Sequence, residues 1–253
     1  MPETLTLVLI AFASGIAGAT VGGAGLLQLP ALFNAYPAAS TMTVIGTNKI
    51  AFTLGGLNNV RHYWQNVGIP WRQTLPALIA GSLTAYGGAA LLQYIPGDSF
   101  KPLLLVLMIV LAVYLFRHKK LGEIDTPPLL DGNAALFAAI LAGLVLGFYE
   151  GVFGPATLTF LALLYNRLFG MNLKRALAAG QILTNGWNIA ALGFFVPHGN
   201  YLLGTGLMMG VAAIAGSFTG IRLIARGGNT LIRRLFMALL VIEIGRYSYL
   251  LWR

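Results

Sequence analysis

The sequence predicts an all-α polytopic membrane protein built from two inverted repeats, each one re-entrant or broken helical hairpin plus three transmembrane helices, eight helical segments in all. Three observations predict it. First, 57% of the 253 residues are hydrophobic, 9% are charged and the mean hydropathy is +0.78, where a soluble domain carries about 25% charged residues. Second, apolar segments fall near 4–35, 43–64, 72–94, 100–117, 133–166, 174–196, 201–224 and 230–251, and about 20 residues suffice for one crossing. Third, the first and fifth segments are longer than a crossing needs, and both are broken by glycine.

In the first segment the break is Gly18-Ala-Thr-Val-Gly22-Gly23-Ala-Gly25, followed by Gln28 and Pro30. Glycine lacks a Cβ and lowers helix stability, so this density frees backbone N–H and C=O groups. At membrane depth such groups are tolerated only against protein or a water-lined cavity. The fifth segment repeats the device at Gly147-Phe-Tyr149-Glu150-Gly151-Val-Phe-Gly154-Pro155, with Gly18, Gly22 and Gly25 matching Gly147, Gly151 and Gly154 at an offset of 129. Interrupted segments in corresponding halves are the best sequence pointer to a transporter's binding site. Each following half-helix would aim its unpaired N–H groups and positive dipole end inward, as an oxyanion requires. Pro155 suits a first helical position.

The second and sixth segments supply polar side chains. Lys49, Thr53 and Gly56 share one helical face, as do Gln181, Asn185 and Asn188, at an offset of 132. A rival register pairs Thr47-Asn48 with Thr184-Asn185 at an offset of 137. Such groups are costly in hydrocarbon and are expected to face the protein interior. Lys49 offers a full positive charge to an anion, or its stem snorkels to the interface. Glu150 couples a proton to transport, or serves as a structural partner for Lys49. Gln28, Thr20 and Tyr149 are weaker candidates for the pocket wall.

Lys and Arg positions choose the topology. With eight crossings the 15 basic residues other than Lys49, which lies inside a span, divide eight against seven; with segments one and five re-entrant they divide twelve against three. The second division is a positive-inside bias. It predicts six crossings, both termini outside, and a cytoplasmic linker at 121–132 between a first repeat at 1–120 and a second, inverted repeat at 133–253. The start, Met1-Pro2-Glu3-Thr4, lacks the positive n-region of a cleaved signal peptide, so the first segment is expected to remain.

Other chemistries find little support. The net charge of +9 sits in short loops, the pattern of topology signals and not of a nucleic-acid groove. There are no cysteines, which excludes disulfides and thiolate chemistry. No Walker motif occurs, and His62, His118 and His198 fall at loops or span ends, so neither ATP-driven transport nor a metal site is expected. No histidine lies at membrane depth to activate Ser14 or Ser217. The chain is not expected to be an enzyme or to need a cofactor.

The motifs Gly18–Gly25, Leu29-Pro30-Ala-Leu and Gly46-Thr47-Asn48-Lys49, with Gly147–Gly154 and Gln181-Ile-Leu-Thr-Asn185-Gly-Trp-Asn188 in the second half, resemble the sulfite exporter TauE/SafE family over nearly the whole chain. The resemblance implies a secondary transporter of small sulfur-containing anions (sulfite, sulfoacetate or related organosulfonates) in a bacterial cytoplasmic membrane, working by alternating access. It leaves room for a homodimer. The binding set it implies is Gly22, Gly23, Gly25, Gln28, Thr47, Asn48, Lys49, Gly151, Gly154, Gln181, Asn185 and Asn188, with Glu150 for the proton. Family members commonly carry a small or hydroxyl residue and a basic residue where this chain has Gly180-Gln181. One central lysine then points to a singly charged or organic anion. A passive anion channel and a non-transporting assembly subunit are the alternatives.

Overall fold

The computed structural model describes residues 2–19, 25–117, 127–226 and 229–251. They form ten α-helices: α1 (Pro2–Gly18), α2 (Gly25–Ala35), α3 (Thr41–Asn66), α4 (Trp71–Leu91), α5 (Gly97–Arg117), α6 (Gly132–Val152), α7 (Thr157–Phe169), α8 (Leu173–Phe195), α9 (Leu203–Ala225) and α10 (Asn229–Leu251). A 3-10 turn, Leu92–Tyr94, extends α4. Ten helices replace the eight expected segments because the first and fifth each divide in two at their glycine cluster. By length and apolar composition three stretches among the described residues are able to cross a membrane, Trp71–Tyr94, Gly132–Val152 and Leu203–Leu223, where six crossings were expected. In α3 and α8 the inward-facing amides and Lys49 lower the hydropathy.

The fifth segment folds as a hairpin. Backbone N–H groups of Leu129 and Leu130, just before α6, both donate to the Leu168 carbonyl at the end of α7, so α7 returns to the level where α6 began. Two runs of small residues seat α6 on α4. A Cβ on Gly143, Gly147 or Gly151 would lie 2.5, 2.4 or 2.1 Å from backbone of Ala77, Gly81 or Ala85. These contacts climb both helices together, so α4 and α6 run parallel. Where lipid removes the usual hydrophobic drive, such close backbone approach supplies the packing energy.

Other pairs fix the remaining directions. Gly46 meets Phe195 and Gly56 meets Asn185, so α3 and α8 cross antiparallel. Gly206 meets Ile50 and Gly210 meets Leu54, so α9 runs with α3. Gly216 meets Phe12 and Gly220 meets Ile16, so α9 also runs with α1.

A single shift of 132 residues relates these contacts. Helix starts Gly25 and Thr157, Thr41 and Leu173, Trp71 and Leu203, and Gly97 and Asn229 are each 132 apart. The N-cap side chains of Ser40 and Asn172, also 132 apart, each accept from the backbone N–H three residues on. Gly88 lies against the Phe148 carbonyl as Gly220 lies against that of Ile16, and Gly186 against Leu78 as Leu54 against Gly210. In this packing Gly18 stands opposite Glu150, so the offset of 129 read from the glycine clusters is not the offset of the contacts. The breaks differ in length: α1 and α2 are separated by 19–24, α6 and α7 by 153–156.

Two apolar clusters fill the interior. One surrounds α2 and α5 with Leu26, Leu29, Leu32, Phe33, Phe100 and Phe236, and the other surrounds the α4–α6–α8 contact with Leu161, Tyr165 and Trp187. On the outer faces Leu83, Phe137 and Val211 are exposed, the apolar surface a bilayer would cover.

Candidate functional site

The break between α6 and α7 is built around Gly154 and Pro155. Gly154 has φ +90 and Ala156 has φ 65, both in the left-handed region, so the chain turns sharply instead of continuing the helix. Helix α7 therefore starts at Thr157 and not at Pro155, whose place is in the turn. The Thr157 hydroxyl donates to the Gly154 carbonyl at 2.9 Å, and the Tyr149 hydroxyl donates to the Pro155 carbonyl at 2.7 Å. Phe153 stacks on Phe100 with ring centroids 4.4 Å apart. Gly25, at the start of α2, abuts this turn: a Cβ there would lie 3.5 Å from the Pro155 Cα. The starts of α2 and α7 therefore come together in the interior. Gly22 and Gly23, expected at the site, lie outside the described residues, as does Thr20.

Lys49 reaches this turn from α3. Its ammonium donates to the Glu150 side chain (Oε1) at 2.9 Å and also to the Glu150 backbone carbonyl. Lys49 is 1% exposed and Glu150 2%, so the lysine turns inward to a carboxylate and does not reach the interface. Gly154 closes the arrangement: a Cβ there would sit 2.7 Å from the Lys49 ammonium and 2.8 Å from Glu150 Oε1. Glu150 Oε2 has no hydrogen-bond partner among the described residues. Of the two roles open to Glu150 in the sequence, the geometry displays the partnership with Lys49.

The 132-residue counterpart of this contact is Gln181, which donates from Nε2 to the Gly18 carbonyl at 2.8 Å. Lys49 and Gln181 thus bond the backbone of Glu150 and Gly18, the ends of the two helices that precede the breaks. That correspondence supports the 132 register for the polar helices over the 137 one.

Other expected residues divide into bonded and unbonded groups. Asn48 donates to Gln28 Oε1 at 2.8 Å, both buried. Thr47 donates to the Thr43 carbonyl and accepts from the Leu202 N–H at 2.8 Å. Asn188 donates to the Thr184 carbonyl, but among the described residues its Oδ1 has no partner, nor has either side-chain polar atom of Asn185, nor Thr53 Oγ1. A buried polar atom without a partner costs about 1–3 kcal/mol, so the α3–α8 crossing holds unused capacity to bind something polar. Gly151 lies elsewhere, with the Ala85 carbonyl filling the place of its missing Cβ; it serves the α4–α6 contact.

Sequence reasoning missed two features. Glu243 is buried in α10 and accepts from Arg246 at 2.8 Å, and its second oxygen has no partner among the described residues. Asn59, Ser217 and Asn58 form a chain of hydrogen bonds, Ser217 Oγ to Asn59 Oδ1 at 2.6 Å and Asn58 Nδ2 to Ser217 Oγ at 2.9 Å. Four-residue helical spacing to the singled-out Lys49 face does not reach Asn58 or Asn59, so pattern alone gave no signal for them. No cluster of metal-ligating residues occurs among the described residues.

Two of the cavities bounded by the described residues lie near helix starts and ends. One of about 470 Å³ lies where α4 and α8 begin, lined by Arg72, Gln73, Phe169, Asn172 and Arg175 among others. One of about 240 Å³ is lined by Glu3, Asn34 and Arg246. Lys49 and Glu150 are not among the residues that line either one.

Comparison with known proteins adds the following. The family model described as sulfite exporter TauE/SafE matches residues 7–246. A protein of Escherichia coli (strain K12) named probable membrane transporter protein YfcA is 30% identical over 243 residues, 96% of this chain and 88% of that protein. The probable membrane transporter protein ORF9 of Sinorhizobium sp is 30% identical over 231 residues, 91% and 87% of the two chains. A probable membrane transporter protein of Haemophilus influenzae is 29% identical over 244 residues, 96% and 93%. No solved structure matches.

Proposed function

Because this chain belongs to the sulfite exporter TauE/SafE family, we propose that it is a secondary transporter of small sulfur-containing anions, sulfite or an organosulfonate such as sulfoacetate, that works by alternating access between two inverted repeats. The shift of 132 residues and the antiparallel crossing of α3 and α8 support the repeats. Broken helices meeting at the interior are the arrangement in which transporters of this kind bind their substrates. The basic loops support a topology with the starts of α4, α6 and α8 on the cytoplasmic side and both termini outside.

The observation that carries the reading is the buried Lys49–Glu150 pair, seated where the starts of α2 and α7 converge. With Glu150 ionised the lysine's charge is fully used. Protonation of Glu150 leaves Lys49 without its counter-ion and free to take an anion, which then also meets the N–H groups of the two helix starts. Anion and proton are bound together, so they move in the same direction and the two gradients jointly drive the flux. Asn185, Asn188 and Thr53 supply hydrogen bonds that favour a sulfonate or sulfite oxygen over an apolar solute. A passive channel would need neither a buried ion pair nor a fixed proton ratio.

Uptake of labelled sulfite and sulfoacetate into proteoliposomes tests this. Saturable uptake of either anion, stimulated by an inwardly directed proton gradient with the outside acidic, is the expected result. Unsaturable flux indicates a channel, and no flux of either anion from folded protein removes the substrate class.

A further inference from the structure

The two faces of the molecule are closed differently. On the face where α3 and α9 begin, three contacts join the two halves. The Tyr36 hydroxyl and Thr205 Oγ1 are hydrogen-bonded at 2.7 Å. The Leu202 N–H donates to Thr47 Oγ1 at 2.8 Å. Gly46 lies so near the Asn200 carbonyl oxygen that a Cβ would be 2.0 Å from it.

The 132-residue shift carries each contact to the opposite face, where α4 and α8 begin, and there none of them is chemically available. Tyr36 and Thr205 become Leu168 and Gln73, and a leucine side chain has no polar atom. Leu202 and Thr47 become Pro70 and Ala179, a residue without an N–H opposite one without a hydroxyl. Gly46 becomes Ala178, whose Cβ occupies the space that the close approach requires. At this second face a long hydrogen bond joins the halves, from the Tyr165 hydroxyl to the Gln73 carbonyl at 3.3 Å, and beside it lies the 470 Å³ cavity, with Pro70, Gln73, Arg72 and Arg175 in its wall.

We propose that the Tyr36–Thr205 and Leu202–Thr47 contacts are a gate that holds the empty protein shut on one face, and that the arginine-lined cavity is the open mouth by which a small oxyanion approaches on the other. The proposal rests on the transporter reading for its purpose, though not for its geometry. Arg72 and Arg175 give the mouth two positive charges that the shift replaces by Gly204 and Thr43 on the gated face, so anions concentrate at the open side. With the basic loops in the cytoplasm, the resting protein draws its anion from the cytoplasm. A conformational switch then requires the gate's hydrogen bonds to break, and their net strength biases the resting population.

The chain has no cysteine, so single and paired cysteines report without background. Gln73→Cys marks the mouth and Asn200→Cys the gated face. In otherwise unaltered protein a maleimide gives the baseline labelling rate at each site, both being half-buried. Adding Tyr36→Phe with Thr205→Val, a volume-conserving pair, shifts the population toward the other state. Labelling at Asn200→Cys then rises and at Gln73→Cys falls, each on the order of fivefold. Unchanged labelling at both sites overturns the gate. Separately, Tyr36→Cys with Thr205→Cys, joined by oxidation, should abolish anion turnover in proteoliposomes and regain it on reduction. Undiminished turnover in the joined protein also overturns it. Should the unjoined protein move no anion at all, the labelling shift still decides the gate, and it is the transport reading that fails.

Discussion

Neither Lys49 nor Glu150 is tolerable alone at its depth. Removing one partner of a buried ion pair leaves an uncompensated charge and costs about 3–5 kcal/mol, whereas replacing both by apolar residues is often neutral. Lys49→Ala should therefore lower the unfolding temperature in detergent and abolish anion binding, while Lys49→Met with Glu150→Leu regains the stability and not the binding. A single variant as stable as the parent would show that the pair is not formed in the protein. Gly154→Ala tests the same site through the backbone. Its methyl would press on both charged groups at φ +90, and a loss of about 1–3 kcal/mol is expected, read by thermal unfolding. Lys49, Glu150 and the amides of α8 were all visible in the sequence because polar groups in apolar spans are rare. Their pairing was not visible. Lys49 and Glu150 stand 101 residues apart, and only the crossing of the helices selects the ion pair from the roles open to each.

At the scale of elements, glycine has two uses that sequence cannot tell apart. Gly154 permits a turn, whereas Gly147 and Gly151 admit the backbone of α4. The expected binding role of Gly151 came from treating the whole cluster as one device. Gly147→Val should separate α4 from α6 and markedly reduce folded yield, whereas Gly87→Ala and Gly204→Ala, where a Cβ meets nothing within 4 Å, should be neutral or slightly stabilising. Equal loss in all three, measured by size-exclusion yield and thermal unfolding, would contradict the packing account. Glycine position also misled the register. The 129 offset aligned the glycines themselves, but a break tolerates a change of length that helix contacts do not, so the contacts keep 132 throughout. Pro155 similarly reads as a helix start, and the left-handed Ala156 after it delays α7 to Thr157.

For the whole molecule, composition sufficed for an all-helical membrane protein, and the motifs sufficed for the family. The number of helices did not follow, since a broken segment and a continuous one have the same hydropathy. Orientation rests on the basic residues, twelve against three in the re-entrant topology. Asp131→Cys, exposed just before α6, should resist a membrane-impermeant thiol reagent applied to intact cells and react once they are opened. Ready reaction in intact cells would invert the orientation and with it the side of the open mouth.

The central claim is that Glu150 gives up Lys49 to the anion when it takes a proton. Its most direct test compares two modes of sulfite or sulfoacetate movement in proteoliposomes, net uptake driven by a pH gradient and one-for-one exchange at equal pH, in the parent and in Glu150→Gln. The glutamine holds the neutral state permanently, so exchange should persist while stimulation by the gradient disappears. Gradient-stimulated uptake that survives Glu150→Gln would contradict the account and place the proton elsewhere.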